Sequence, residues 1–102
     1  MLLEHLRFFH AVAERGSFTR AAEELLLTQP AVSSQIARLE EELGQKLFER
    51  HGKHVRLSRP GEILYAQSRK IFQQLREAST ILEDLKNLEA GRLELGTVDA
   101  MS

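Results

Sequence analysis

Several residue types are scarce or absent in this sequence of 102 residues. It has no cysteine, only two prolines and only six glycines. Without cysteine the chain forms no disulfide bond, offers no thiolate ligand to zinc and has no thiol for catalysis, which fits a reducing compartment. The scarcity of glycine and proline excludes collagen-like and low-complexity sequences. No apolar run approaches the roughly 20 residues that span a membrane, so we expect a cytoplasmic protein without a membrane partner.

An excess of charge of one sign is also lacking, because the formal net charge is only -1. Bulk charge therefore does not indicate a nucleic-acid partner, and the distribution of charge along the chain has to decide. Hydrophobic residues make up 42% and charged residues 28%, as in ordered globular proteins. The length suits one domain with an appendage, and the patterns below predict a mainly α-helical fold.

Three short amphipathic helices are predicted in the first part of the chain. They cover residues 2–15, 18–25 and 29–43. Gly16 can end the first helix in a left-handed conformation, and Ser17 can cap the second. Thr28 can cap the third, and Pro30 lies in its first turn, where a missing N–H is tolerated. The second and third helices, joined by a tight turn, form a predicted helix-turn-helix.

The third helix exposes a surface that suits DNA near its beginning. Its side chains there are small, hydrogen-bonding or cationic: Thr28, Gln29, Pro30, Ala31, Ser33, Ser34 and Arg38. A recognition helix enters a major groove about 12 Å wide, where acidic residues would be repelled by phosphate. The acids Glu40, Glu41 and Glu42 all lie at the far end of the helix. The N-terminal end is therefore predicted to face the groove, where its free N–H groups also favour phosphate.

The chemistry of these side chains suggests separate roles. Gln29 can pair with an adenine edge, and Pro30 and Ala31 can contact a thymine methyl group. Ser33 and Ser34 can reach a base edge or a phosphate, and Arg38 can meet phosphate or guanine. The alternative is an ordinary surface helix in a small α-domain.

A basic hairpin is predicted over residues 47–57, with its turn near 51–53. From Leu43 to Arg59 there are five cations and one acid, Glu49. A positively charged hairpin directly after a helix-turn-helix is typical of a wing that contacts the DNA backbone or the minor groove. The alternative is a solvated charged loop. His51 and His54 do not indicate a metal site, because no carboxylate or thiolate companions accompany them and cations surround them.

A long helix is predicted from Ser58 and Pro60 to about Glu89. Residues alternating four and three apart form a heptad seam: Leu64, Ser68, Ile71, Leu75, Ala78, Leu82 and Leu85. Phe72 and Ile81 widen it. A helix of about 45 Å cannot bury this seam against a small domain along its whole length. A second copy of the helix is the simplest cover, and an absent part of the protein is the alternative. Residues 93–98 then alternate like a first strand.

No constellation for catalysis is present. The serines are not arranged with a plausible histidine and acid, and there is no glycine-rich phosphate loop. We therefore expect no enzyme activity and no cofactor. A coiled-coil interaction module is a second hypothesis, in which the helix over residues 60–89 binds a partner protein. The basic hairpin and the small-residue helix face argue against it, because that role needs neither.

The blocks GSFTRAAEEL, TQPAVSSQI, LEEELG and LFER, followed by RLSRPGEILY, resemble the N-terminal domain of LysR-type bacterial transcriptional regulators. The resemblance covers residues 1 to about 90. It implies a winged helix-turn-helix DNA-binding domain over residues 1–58 and a linker helix for dimerisation over residues 59–90. Residues 91–102 would begin an effector-binding domain that this chain lacks, so we expect DNA binding without a response to an inducer.

The family's properties imply the partners of this chain. They are double-stranded DNA and a second copy, with antiparallel linker helices and recognition helices in successive major grooves of a partly palindromic site. The family often forms tetramers in the full-length protein. Carried over by position, the DNA-binding residues are Thr28, Gln29, Pro30, Ala31, Ser33, Ser34 and Arg38, with Arg50, Lys53 and Arg56 in the wing. The dimerisation residues are Leu64, Ile71, Phe72, Leu75, Ala78, Leu82 and Leu85. Departures from the family pattern occur at Leu26 and Leu27 and at Ser58 and Pro60.

Overall fold

The computed structural model describes the backbone of residues 1–101 and the side chains as far as Arg92. The elements in chain order are α1 (Leu3–Arg15), α2 (Phe18–Leu25), α3 (Gln29–Leu43), β1 (Phe48–His51), β2 (His54–Leu57) and α4 (Arg59–Met101). The chain divides into two units, Met1–Arg69 and the residues from Lys70 onward. The order of elements confirms the predicted mainly α-helical fold, a winged helix-turn-helix followed by a long helix.

The ends of the first three helices follow the predicted local signals. Gly16 is left-handed at φ 64° and donates its N–H to the Val12 carbonyl, which ends α1. The Ser17 hydroxyl accepts from the Arg20 N–H at 3.2 Å, and the Thr28 hydroxyl accepts from the Ala31 N–H at 3.3 Å. These caps satisfy N–H groups that have no partner within the helix. The bounds of α2 and α3 are therefore as predicted, and α1 begins one residue later.

The core of the first unit lies between α1, α2 and α3 and beneath the hairpin. Its most buried side chains have relative exposures of 0–1%: Phe9, Val12, Ala21, Val32, Leu39 and Leu47. Ala21 and Ala22 are both buried on the side of α2 that faces the core. The ring of Phe48 lies 5.3 Å from that of Phe9 and 5.7 Å from that of Phe18. This aromatic group fixes the base of the hairpin against α1 and α2.

The hairpin is antiparallel and has the predicted turn. Its register pairs Phe48 with Leu57, Glu49 with Arg56, Arg50 with Val55 and His51 with His54. Gly52 lies in the turn with φ 64°. The Val55 N–H donates to the Gly16 carbonyl at 3.2 Å, which ties the second strand to the loop between α1 and α2.

The junction between the hairpin and α4 is tightly packed. The Ser58 hydroxyl donates to the Lys46 carbonyl and accepts from the Gly61 N–H. The Ser58 N–H donates to the Leu47 carbonyl at 2.9 Å. A Cβ atom added at Gly61 would lie 2.0 Å from that same carbonyl oxygen. Glycine is therefore required at position 61 by a close approach of two backbones.

A polar cluster joins α1 to the early turns of α4. Glu14 Oε1 lies 3.0 Å from His10 Nε2 and accepts a 2.8 Å hydrogen bond from the Tyr65 hydroxyl. The Tyr65 ring stacks on the His10 ring with centroids 5.0 Å apart. The hydrogen bond to Glu14 raises the pKa of Tyr65 above its ordinary value, because it stabilises the protonated phenol. Ser68 is fully buried and lies 3.3 Å from His10 Nδ1.

This packing corrects the beginning of the predicted heptad seam. Ser68 has no exposed surface, and Leu64 is half-buried against the core cluster. Both side chains serve the core of their own unit, because the early turns of α4 pack on it. Ile71, Leu75, Leu82 and Leu85 remain 40–66% exposed. We call Ile71, Leu75, Ala78, Leu82 and Leu85 the α4 stripe.

Helix α4 also continues beyond its predicted end. It runs through Gly91 to Met101, whereas the sequence predicts an end near Glu89 and a strand over residues 93–98. The strand prediction is wrong for the backbone, and the side chains of 93–101 and all of Ser102 lie outside the described residues. In the described part of the chain the two strands pair with each other. A helix satisfies its backbone hydrogen bonds within the segment, whereas a strand needs a neighbour.

Candidate nucleic-acid interface

The N-terminal end of α3 presents most of the predicted recognition residues on one surface. Thr28, Pro30 and Ser34 are exposed, and Gln29, Ala31 and Ser33 are half-buried. The opposite side of the helix carries Val32, Ile36 and Leu39, which are buried in the core. Helical spacing and the Thr28 cap together turn the polar residues outward. The structure therefore brings six of the seven predicted α3 residues together.

Arg38 is the exception among the predicted α3 residues. It lies nine residues after Gln29, which corresponds to roughly 13 Å along the helix axis. It is exposed, and it lines a surface depression together with Glu41 and Glu42. The amino group of Met1 pairs with Glu42 at 2.6 Å in the same area. Arg38 therefore stands at the acidic end of α3, apart from the group at the N-terminal end.

A hydrogen bond within α3 was not predicted from the sequence. The Gln29 Nε2 group donates to the Ser33 hydroxyl oxygen at 2.7 Å, one helical turn further on. The spacing of four residues allows such a contact in any helix. The sequence signal would have been this spacing alone, which does not say whether the two side chains meet each other or point apart.

The three predicted wing cations are all exposed, but they do not lie on the same side of the hairpin. Residues paired across an antiparallel ladder share a face. Arg50 pairs with buried Val55 and therefore stands on the core-facing side. Its guanidinium lies 4.8 Å from the centre of the Phe18 ring, a cation–π contact. Arg56 pairs with Glu49 and stands on the outer side.

The outer side and tip of the hairpin have a mixed charge. Lys53 follows Gly52 at the tip, and Arg56 lies across from Glu49 on the outer face. Glu49 Oε2 is 3.8 Å from His51 Nε2, and both side chains are more than half exposed. The free positive charge of the wing is therefore concentrated at Lys53 and Arg56, while Arg50 also packs against α2.

Glu40 has a structural role that the sequence did not reveal. It is one of three consecutive acids at the far end of α3, yet its side chain is only 14% exposed. Its Oε2 accepts the Leu47 N–H at 2.8 Å, and its Oε1 lies 3.9 Å from Lys46 Nζ. Leu47 is itself buried, so Glu40 satisfies a backbone donor that water does not reach. This bond ties α3 to the segment that enters the wing.

Among the described residues, no cluster of three or more histidine, cysteine, aspartate or glutamate side chains has a geometry that would hold a metal ion. No helix in that part of the chain combines the length and the apolar character needed to cross a bilayer.

The sequence and the fold of this chain are both similar to those of known proteins. The model of a family described as bacterial regulatory helix-turn-helix protein, lysR family, matches residues 3–62. The RuBisCO operon transcriptional regulator of Allochromatium vinosum is 48% identical over 100 residues, which cover 98% of this chain and 33% of that relative. This chain thus spans about a third of that relative's length.

Two solved structures of protein–DNA complexes are also similar. The BenM DNA-binding domain bound to benA site 1 DNA superposes with a TM-score of 0.79 at 39% identity, covering 83% of this chain and 96% of that chain. The CbnR DNA-binding domain in its DNA complex superposes with a TM-score of 0.76 at 29% identity, covering 83% of this chain and 98% of that chain.

Proposed function

This chain belongs to the LysR family of bacterial regulatory helix-turn-helix proteins, and we propose that it binds double-stranded DNA sequence-specifically as part of a transcriptional regulator. The observation that carries this proposal is the surface at the N-terminal end of α3. It gathers hydrogen-bonding and small apolar side chains at a capped helix end, with the acids of α3 at the other end. The DNA bound by the similar BenM and CbnR domains supports the same role here.

The proposed contacts divide into base reading and backbone binding. Gln29, Pro30, Ala31 and Ser34 lie where base edges would pass, and Thr28 lies at the helix end. Lys53 and Arg56 carry the free charge of the wing and bind phosphate. Arg50 binds phosphate while its guanidinium stays against the Phe18 ring. Arg38 contacts DNA at the edge of the site. Ser33 belongs to the base-reading group through Gln29.

The α4 stripe supports homodimerisation. Its large side chains are 40–66% exposed within one chain, and a contiguous apolar stripe of this length on one side of a helix marks an interaction surface. We propose that a second copy covers the stripe, with half-buried Phe72 beside it and Leu64 excluded from it.

The proposed division is 1–58 for DNA binding, 59–90 for dimerisation and 91–102 for the start of an effector domain. A regulator with this proposed function would act in the bacterial cytoplasm.

Fluorescence anisotropy with labelled duplexes tests the proposal. A site selected from a random pool is compared with a scrambled duplex across a salt series, with sedimentation of the free protein alongside. Tight, site-selective binding by a dimer is the expected result. Weak binding that is equal for both duplexes would remove sequence specificity, and indifference to DNA at moderate salt would favour a protein-interaction module instead.

Two variants separate base reading from backbone binding in the same assay. Gln29→Ala is expected to weaken binding to the selected site far more than binding to the scrambled one. Arg56→Ala is expected to weaken both and to flatten the salt dependence by about 0.9 in slope for each lost phosphate contact. Arg7→Ala is the matched control, because Arg7 is an exposed arginine on α1. An unchanged slope for Arg56→Ala would remove Arg56 from the phosphate contacts.

A further inference from the structure

We propose that Ser33 is a positioning residue that orients the side-chain amide of Gln29, so that Gln29 selects adenine and rejects guanine. The inference rests on the proposed function, because it concerns how the N-terminal end of α3 reads a base. Ser33 would then position Gln29 and would make no base contact of its own.

The geometry places the two side chains in a fixed relation. Gln29 is the first residue of α3, directly after the Thr28 cap, and Ser33 lies one turn later on the same face. The Gln29 Nε2 group donates to the Ser33 hydroxyl at 2.7 Å, which is at the short end of the range for an N–H donor. Both residues are half-buried, so their neighbours limit the rotation of the amide.

The hydrogen bond to Ser33 limits the groups that the Gln29 amide can still offer to a base. A glutamine amide carries two N–H donors and one carbonyl oxygen. Ser33 takes one of the two N–H groups. When Ser33 takes the N–H that points away from the amide oxygen, the remaining edge of Gln29 has one donor and one acceptor side by side.

That remaining pair matches adenine and does not match guanine. In the major groove adenine presents the N7 acceptor and the N6 donor, which one N–H and one carbonyl satisfy together. Guanine presents two acceptors, N7 and O6, which need two donors. An amide free of Ser33 has two N–H groups available and can turn toward either purine. The hydroxyl of Ser33 thus turns Gln29 from a side chain that accepts either purine into one that selects adenine.

A direct contact of Ser33 with DNA predicts a different result. If Ser33 bound a base itself, its removal would weaken binding to the preferred base and would not strengthen binding to the guanine duplex. If Ser33 acts through Gln29, its removal frees an N–H and strengthens binding to guanine. The sign of the change for the guanine duplex therefore separates the two roles.

The test uses duplexes that differ only by exchange of A·T for G·C at each purine position of the selected half-site. Anisotropy gives the affinity of the full 102-residue chain for each duplex. One position is expected to favour adenine by about tenfold or more, as for a good bidentate contact. Ser33→Ala should reduce this ratio at least fivefold, mainly through tighter binding of the guanine duplex. Ser33→Thr keeps a hydroxyl and should retain the ratio.

Gln29→Ala supplies the second half of the test. It should abolish the adenine preference, and Ser33→Ala added to Gln29→Ala should then change nothing further. Thermal unfolding of Ser33→Ala should match that of the unaltered chain, because alanine is a good helix residue. A purely structural role would lower the unfolding temperature and weaken all duplexes alike.

Each contrary outcome has a separate meaning. If the unaltered chain shows no selectivity between duplexes, the proposed function itself fails and the inference fails with it. If the chain is selective but Ser33→Ala leaves the adenine-to-guanine ratio unchanged, or weakens both duplexes equally, only the inference is overturned. A preference for guanine in the unaltered chain would also overturn it, because Ser33 would then leave both N–H groups free.

Discussion

Helix α3 and the part of α4 after Arg69 carry apolar residues at the same spacing but with opposite burial. In α3, Val32, Ile36 and Leu39 are at most 2% exposed. In α4, Leu75 is 43% exposed and Leu82 is 66% exposed. Periodicity therefore determines which side of a helix is apolar, and the other elements of the chain determine whether that side is covered. In α3 the covering elements are α1 and α2, whereas we propose that a second copy covers the α4 stripe.

The largest effect should come from a substitution in the buried apolar face of α3. Leu39→Ala is expected to lower the free energy of unfolding by about 2–5 kcal/mol, because it empties a fully buried position. Denaturant unfolding followed by circular dichroism measures this. Leu82→Ala makes the same substitution in an exposed position and should leave unfolding at low protein concentration nearly unchanged. Equal losses in the two variants would contradict the difference in burial.

A polar contact at the far end of α3 should give the next largest effect. Glu40→Ala leaves the buried Leu47 N–H without its acceptor, and we expect a loss of about 2–3 kcal/mol in unfolding free energy. Glu41→Ala is the matched control, because Glu41 is an exposed acid next to it. Thermal unfolding of both variants gives the comparison. Similar stability in both would mean that Glu40 is as solvated as its neighbour.

The proposed role of the α4 stripe in dimerisation can be tested by measuring self-association. Leu82→Ala is expected to weaken dimerisation by about 2 kcal/mol, since each lost methylene contact contributes about 0.8 kcal/mol. Sedimentation equilibrium over a concentration series measures the dissociation constant. Glu83→Ala changes the neighbouring exposed residue and should leave the constant as it is. A monomer at all concentrations in the unaltered chain would refute the cover that we propose for the α4 stripe.

The smallest effect concerns an exposed leucine in the turn between α2 and α3. Leu26 is 90% exposed and has φ 58°, a left-handed conformation that glycine adopts without a Cβ penalty. Leu26→Gly is expected to raise the free energy of unfolding by about 0.5–1 kcal/mol. Leu27→Gly, where φ is not positive, should lower it. Differential scanning calorimetry resolves both shifts, and destabilisation by Leu26→Gly would show that strain at this residue is absent.

Much of the fold could be predicted because its signals are local. Ser17 and Thr28 cap their helices, Gly16 and Gly44 end theirs, and Gly52 forms the hairpin turn. Each of these signals depends on a few neighbouring residues, which the sequence shows directly. The bounds of α2 and α3 are confirmed for that reason.

The remaining features depend on contacts that spacing alone leaves open. Arg50 and Arg56 looked equivalent as wing cations, yet the ladder register places them on opposite sides of the hairpin. Glu40 stands in a run of three acids, and its spacing does not reveal that the chain after Gly44 returns to donate a hydrogen bond to it. Ser68 matched the seam by its position and is buried by packing on α1. These corrections all arise from tertiary neighbours.

The close approach at Gly61 has a mechanical consequence. The backbone at Gly61 presses against the Leu47 carbonyl, and Ser58 binds the Lys46 and Leu47 carbonyls on the same side. No side chain separates the first turn of α4 from the segment that enters the wing, and close packing of this kind resists deformation. A rotation of that first turn would therefore also shift the base of the wing.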